Sequence, residues 1–420
     1  MSPQKLTPKE RAIVISTALL IAGYWLHSPK FLFFAVIVTT VYLVAWQWQK
    51  FALRKLTVTR KFSEKRAFVG ETITVSTVFS NRKWLPVPRL RMDDFASAEL
   101  VFTEVKPEIS HIPGLVFIRQ YVALSWFERV TRRYHIECRQ RGMYRFAQLR
   151  LTAGDPFGLF TTVEDRLQED RIIIYPEVKP VTGLEFPTKE LLGERISRRR
   201  IFEDPIYMRG VRPYQPQDDL RHVHWKNTAR TDTLLTKIFD PSTAPNVMLF
   251  VNIATYAKHW EGVDTALLER IVSVAASMCA YAVERRLPVG LSANGTIFRS
   301  DQPLRVLPSR SPQQLTRLLE ALAGINGIAS GSFESFLLRD SHRLPWGATL
   351  VVITAVVTPE LEAVLLRLKS VGRKLVLLSL ADEPPRWLRD ILTFHLPGRT
   401  VAESYHFTPV STVPAAEAQP

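Results

Sequence analysis

Asp218, Asp219, His222 and His224 put two carboxylates and two imidazoles into seven consecutive residues. Side chains of this kind can hold a divalent ion or pass a proton, so the stretch could serve a hydrolase or a metalloenzyme. On a helix, His222 and His224 would face apart and could not share an ion; on a strand they would share a face. The rest of an active site is missing from the sequence, which has no glycine-rich phosphate loop, nucleophile elbow or HExxH motif. The same segment suits an ion-pair bracket better. Arg212, Arg221 and Arg230 can tie Asp218, Asp219 and Asp232 through two-pronged guanidinium–carboxylate contacts, with Tyr214 and Trp225 packing on a sheet.

The elements that must position these residues are legible around them. Pro213 and Pro216 keep Arg212 to Pro216 extended or turned. Asp218 or Asp219 is a suitable N-cap for a short helix carrying Leu220, Val223 and His224 on one face. Leu234 to Phe239 has strand composition and is closed by Asp240-Pro241.

The 420 residues are enough for two or three domains, and 46% hydrophobic residues can fill their cores. A formal net charge of +15 points to an anionic neighbour such as lipid headgroups, nucleic acid or an acidic protein face. Nucleic-acid binding is a further alternative to the enzyme reading, but the basic residues are spread along the chain and form no recognition motif. Cys138 and Cys279 are the only cysteines, which excludes a disulfide framework or a zinc site and suits a reducing compartment.

Two uncharged apolar runs, Ala12 to Leu26 and Phe31 to Trp46, flank His27-Ser28-Pro29-Lys30. They predict a transmembrane helical hairpin with Tyr24, Trp25, Trp46 and Trp48 at the interfaces. A signal peptide with Lys5, Lys9 and Arg11 as its basic region is disfavoured by the second run, which follows without a small-residue cleavage site. Basic residues precede the hairpin and follow it (Lys50, Arg54, Lys55, Arg60, Lys61), whereas the connecting loop has only Lys30. A two-pass plasma-membrane protein is therefore expected, contacting the bilayer through residues 12–46, with both termini and the remaining domains cytoplasmic.

From 51 to 171, period-two runs predict an all-β immunoglobulin-like sandwich, with strands at Leu56–Arg60, Glu71–Phe79, Leu115–Leu124, Thr131–Cys138 and Leu149–Thr152. Tyr121, Trp126 and Phe127 are expected in its core and rim. Residues 172–203 read as a connector whose Arg195, Arg198, Arg199 and Arg200 suit anionic lipid. After Asp240, strands at Val247–Ile253, Pro288–Ser292, Thr349–Val357 and Lys374–Leu380 alternate with helical patterns. Residues 204–405 therefore hold the charged segment and a doubly wound α/β domain. The Pro-, Ala- and Thr-rich stretch 406–420 is expected to be a disordered tail.

Arg212-x-Tyr214-x-Pro216-x-Asp218, followed by Arg221-x-x-His224-Trp225-Lys226 and Ala229-Arg230, resembles the signature of the bacterial domain of unknown function 58 (DUF 58) family. Gln217 stands where that signature has glycine. Arg141-Gly142-x-Tyr144 and Asp155-Pro156-Phe157-Gly158-Leu159-Phe160 resemble a second block of the same proteins; we expect the latter turn to be structural, with Phe157, Leu159 and Phe160 anchoring it between domains. The resemblance implies a membrane-anchored architecture and a von Willebrand factor A-like (Rossmann-type) domain. It also implies a partnership with a MoxR-type AAA+ ATPase in protein assembly, maturation or stress response, and no established activity. Such domains often hold a divalent ion through Asp-x-Ser-x-Ser at the end of the first strand. Here Asn252, Ala254 and Tyr256 occupy those positions, and an amide, a methyl and a phenol cannot replace a carboxylate and two hydroxyls. No metal, cofactor or catalytic role is therefore expected, and Asn252, Thr255, Tyr256 and Thr354 are expected to form a partner surface.

Overall fold

The computed structural model describes residues 17, 18, 21, 25, 29–184, 208–216, 218, 220–239, 246–258, 261–297, 300–345, 347–396 and 404–410. The chain divides into two compact units, Met1–Ile174 and Tyr175–Pro420.

The first unit opens with helix α1, Pro29–Ala52, whose 24 residues rise about 36 Å at 1.5 Å per residue. It is long and apolar enough to cross a membrane. Most of the first apolar run, Ala12 to Leu26, lies outside the described residues. Eight strands then carry the sandwich: β1 Leu56–Phe62, β2 Thr72–Asn81, β3 Val87–Ser97, β4 Leu115–Leu124, β5 Arg129–Glu137, β6 Gly142–Gly154, β7 Thr161–Arg166 and β8 Asp170–Tyr175. One sheet is ordered β1, β2, β5 and the short Val101–Phe102 strand. The other runs Arg66–Phe68, β8, β6, β3, β4 and Glu108–Ile109, with β7 pairing on β6. Alternation explains the burial of β2, where Ile73, Val75, Thr77 and Phe79 point inward.

Strand β3, central to its sheet, has no counterpart in the sequence expectations, because its Val-Pro-Arg-Leu-Arg-Met-Asp-Asp core breaks alternation with charge. Those charges have partners. The Arg60 guanidinium on β1 reaches across the sandwich to the fully buried Asp94 carboxylate on β3. It also contacts Asp170 on β8 at 3.4 Å and lies 4.6 Å from the Phe146 ring centre. The Tyr134 hydroxyl on β5 donates to Asp94 at 3.3 Å. Two sheets are thus joined by a charged cluster inside an apolar core.

Several expectations are corrected here. Tyr121, Trp126 and Phe127 are 67%, 62% and 56% exposed, because Tyr121 faces outward from β4 and the other two occupy the β4–β5 turn. The sandwich does not end at 171, since β8 continues to Tyr175. The stretch 172–203 is not simply a connector either: Val181–Thr182 pairs in parallel with Tyr405–His406. The tail assignment fails at its start, where Phe407 is fully buried and Thr408–Pro409 pairs antiparallel with Leu392–His395. Arg195, Arg198, Arg199 and Arg200 lie outside the described residues.

The second unit begins with an antiparallel pair, β9 Met208–Pro213 and β10 Leu235–Phe239, enclosing helix α2, Trp225–Thr231. There follow β11 Val247–Val251, helix α3 Thr265–Glu284, β12 Val289–Ile297, β13 Ser300–Ser309, helix α4 Gln314–Ala323, β14 Ile325–Ala329 and helix α5 Phe333–Ser341. The unit continues with β15 Thr349–Thr354, helix α6 Pro359–Ser370, β16 Lys374–Ser379 and β17 Leu392–His395. The sheet order is β13-β12-β11-β15-β16-β17, ending on Thr408–Pro409, with β14 on β12. Strands β12, β11, β15, β16 and β17 are parallel, and β13 is antiparallel to β12. Strand β11 is buried throughout. Its Met248 and Phe250 share one core with Phe333, Phe336 and Leu337 of α5 and Leu361, Leu365 and Leu368 of α6.

Asp94 gives a test of the sandwich. Burial pushes its carboxyl from 3.8 up to about 6, against Arg60 and Tyr134, which favour the ionised form. Between those values the folded chain keeps a proton that the unfolded chain has released, so this contribution to stability is present below the lower value and lost as pH rises through the upper one. Urea midpoints of the wild type should fall relative to those of Asp94→Asn as pH rises across this window, and parallel curves would contradict the assignment.

Candidate functional site

Two places in the second unit hold the residues singled out above. The first is the mouth of the parallel sheet. Chain connections leave β11 toward β12 on one side and later return to β15 on the other, so the ends of β11 and β15 flank a topological switch point, where open α/β sheets bind their ligands. Asn252 follows β11 directly and Thr354 ends β15. The Asn252 Nδ2 donates to Thr354 Oγ1 at 3.1 Å. Its Oδ1 accepts from Ala254 N at 3.1 Å and from Asn294 Nδ2 at 3.1 Å. Asn294, on β12, accepts from Ile253 N at 2.9 Å. The Thr354 hydroxyl donates to Val356 O at 2.7 Å.

All three side chains are buried, and both lone pairs of the Asn252 carbonyl are engaged. A cation would have to displace those donors to reach this oxygen. None of the three side chains titrates near neutral pH, so the network holds the strand ends together and offers no acid or base.

The expected partner surface is therefore corrected. Asn252, Thr255 and Thr354 are buried, with Thr255 Oγ1 accepting from Asp264 N at 2.9 Å just before α3. Tyr256 alone of the four is exposed, at 43%. Asn294 was missed, although Ser292-Ala293-Asn294-Gly295 is a polar interruption in an apolar strand and could have signalled it.

The second place is the β9–β10 hairpin. Arg212 donates to both oxygens of Asp218, from Nη1 and Nη2, at 2.6 Å each. The backbone N–H of Gln215 adds a third donor at 2.9 Å. These contacts, Arg212 foremost, hold the Asp218 carboxyl below the ordinary range. Pro216 lies in the turn closed by Asp218 N to Gln215 O at 2.9 Å, and Tyr214 N donates to Leu234 O at 2.8 Å.

The expected helix from Asp218 or Asp219 is corrected. Leu220–His222 makes a 3₁₀ turn, Val223 bridges to Thr236 on β10, and α2 starts only at Trp225. Its N-cap is His224, whose Nδ1 accepts from Asn227 N at 3.1 Å. Pairing with β10 thus overrides local helix preference, and the imidazole does the work of an Asp or Ser cap. Nor does Trp225 pack on the sheet: it is 66% exposed, and Ala229, Arg230 and Asp232 are exposed as well.

Of the four candidate catalytic groups, Asp218 is committed to Arg212 and His224 Nδ1 to the helix cap, while His222 is half-buried. The placement of Asp219, of Gln217 and of the Arg221 side chain lies outside the described residues. Among the described residues no group of three or more His, Cys, Asp or Glu side chains is placed to hold a metal.

Residues 210–399 match the family model described as "Protein of unknown function DUF58". This DUF58 region contains both places just described; Arg141, Gly142, Tyr144 and Asp155 to Phe160 lie outside it. A Bacillus subtilis (strain 168) protein named "Uncharacterized protein YeaD" is 25% identical over 293 residues, which are 68% of this chain. The chain spans 66% of that relative's length. Among solved structures, the CARDB domain of a Pyrococcus furiosus protein in complex with di-metal ions is 16% identical, with a TM-score of 0.20, covering 28% of this chain and 91% of that one. A cohesin module from a Clostridium perfringens family 33 glycoside hydrolase is 12% identical, with a TM-score of 0.21, covering 28% of this chain and 96% of the module.

Asn294→Ala tests the strand-end network. It leaves Ile253 N–H and one Asn252 lone pair buried without partners, and should lower stability by about 1–3 kcal/mol in urea denaturation. A change near zero would show that the network does not hold the mouth of the sheet.

Proposed function

We propose that this protein is a membrane-anchored cytoplasmic scaffold or adaptor. An N-terminal two-pass hairpin tethers it, and a von Willebrand A-like domain docks a partner, a MoxR-type AAA+ ATPase acting in assembly, maturation or stress handling of other proteins. The anchor reading is supported by the length and apolarity of α1 and by the basic residues at and after its C-terminal end, Lys50, Arg54 and Lys55, against Lys30 alone in the stretch 27–30 that joins the two apolar runs. Counted along the sheet path, β13-β12-β11-β15-β16-β17 is a 3-2-1-4-5-6 order of doubly wound type, which supports the domain reading. The ATPase partner comes from the family resemblance alone, which is an analogy and not a property of the site.

The observation that carries the adaptor reading is the closed network of Asn252, Asn294 and Thr354. Where an enzyme of this architecture would keep charged groups open to substrate, these amides and hydroxyl are bonded to one another, and an exposed tyrosine stands beside them. Tyrosine at such a place suits protein contact, since it brings a large ring and a polar tip at small entropic cost.

A photo-crosslinking amino acid replacing Tyr256 in the full chain, in native membranes, should capture an AAA+ ATPase, whereas the same group replacing the exposed Leu307 should not. Turnover by the purified chain that is lost in a folded Asp218→Asn variant would replace the adaptor with an enzyme. A chain lacking residues 1–50 that still sediments with membranes would remove the anchor.

A further inference from the structure

The turn Asp155–Phe160 is built more rigidly than a linker between strands β6 and β7 requires. Asp155 is fully buried, and its carboxylate accepts from Phe157 N at 2.7 Å and from Phe160 N. Asp155 N donates to Phe160 O at 3.2 Å, and Gly158 N to Asp155 O at 3.2 Å. Gly158 has φ +76°, and a Cβ there would also meet Arg89 Nη1 at 2.9 Å. This frame holds out two large apolar side chains, Phe157 and Leu159, each 52% exposed. Both stand out of the apolar core of the unit. Phe160 instead turns inward, onto helix α1.

Its position along α1 is informative. The start of β7 is tied to the helix at Gln49, whose Nε2 donates to Thr161 O at 2.9 Å and whose carbonyl accepts from Thr162 Oγ1 at 3.2 Å. From there the turn runs back along the helix. Phe160 packs on Tyr42 and Ala45, with the Tyr42 and Phe160 ring centres 5.1 Å apart, edge to face. Gln49 to Tyr42 is two helical turns, about 10 Å. The first charge after the apolar run is Lys50, whose Nζ lies 3.5 Å from the Trp46 ring centre, an arrangement suited to the headgroup level. The turn therefore sits against helix residues on the bilayer side of Trp46 and Lys50.

We propose that Phe157 and Leu159 insert into the interfacial region of the leaflet in which α1 ends, so that the Asp155–Phe160 turn is a second, non-helical membrane anchor. The inference rests on the reading of α1 as a membrane span. Exposed Arg89, beside Gly158, gives the turn a cation matched to anionic headgroups. Bonds to Asp155 satisfy the N–H groups of Phe157, Gly158 and Phe160, as irregular backbone needs before it can approach lipid. Gripping α1 at Tyr42 and the lipid at Phe157 would set the orientation of the sandwich at the membrane surface.

The full chain with Phe157→Cys, labelled with an environment-sensitive fluorophore, should be reconstituted into phosphatidylcholine–phosphatidylglycerol vesicles carrying lipid-attached quenchers. Cys138 and Cys279 are buried, so the label goes to the new thiol. Val44→Cys on α1 reports the span; Ile109→Cys reports water, since Ile109 is 91% exposed and pairs with Val116, about 26 Å along β4 from Leu124 near the end of α1. A label at 157 that loses most of its fluorescence, as at 44, supports the inference. Quenching at 44 with none at 157 overturns it and leaves the span standing. No quenching at 44 removes the span, and the inference with it.

Discussion

A polar group taken out of water must find its partner within the protein, and the arrangement of this molecule depends on how that demand is met. In the sandwich it is met by Arg60, which crosses between sheets to Asp94 and Asp170 while Tyr134 covers the remaining carboxylate oxygen. At the mouth of the parallel sheet it is met by Asn252, Asn294 and Thr354, which bond to one another. In the turn after β6 it is met by Asp155, whose oxygens take the backbone N–H groups that the sharp bend frees. Each solution uses up groups that could otherwise have done chemistry.

That consumption separates structural from functional polarity here. Two of the four candidate catalytic groups of the charged segment, Asp218 and His224, are bound into local architecture. Near these places large aromatic and apolar side chains are exposed: Tyr256 after β11, Trp225 on α2, Phe157 and Leu159 in the turn after β6. Such surfaces gain from contact with another protein or with lipid, through removal of apolar area from water.

Legibility from sequence followed a simple physical divide. Segments whose burial is one-sided or complete carry their period openly, so β2, β4, β11, β15 and β16 were expected close to where they lie. Strand β3 was invisible because its inward charges are neutralised by residues distant in sequence. Helix α2 starts later than expected because Val223 is drawn into a bridge with Thr236. Residues 406–410 looked like tail because their composition hides the burial of Phe407 under paired backbone.

The charge arrangement, the apolar runs and the amide at Asn252 are properties of the chain itself, and they bounded the fold class and the chemistry open to it. Which apolar helix is left free of protein neighbours was a tertiary matter. Both α1 and α3 are long and apolar enough to cross a membrane, yet α3 is mostly buried against strands and α1 mostly bare. Composition sets the free energy of leaving water, but only the neighbours brought in by folding determine whether a helix leaves it for a protein core or for a bilayer. The same holds for Asn252: its identity limits what it can bind, while Asn294 and Thr354, brought beside it from two other strands, decide that its oxygen is already occupied.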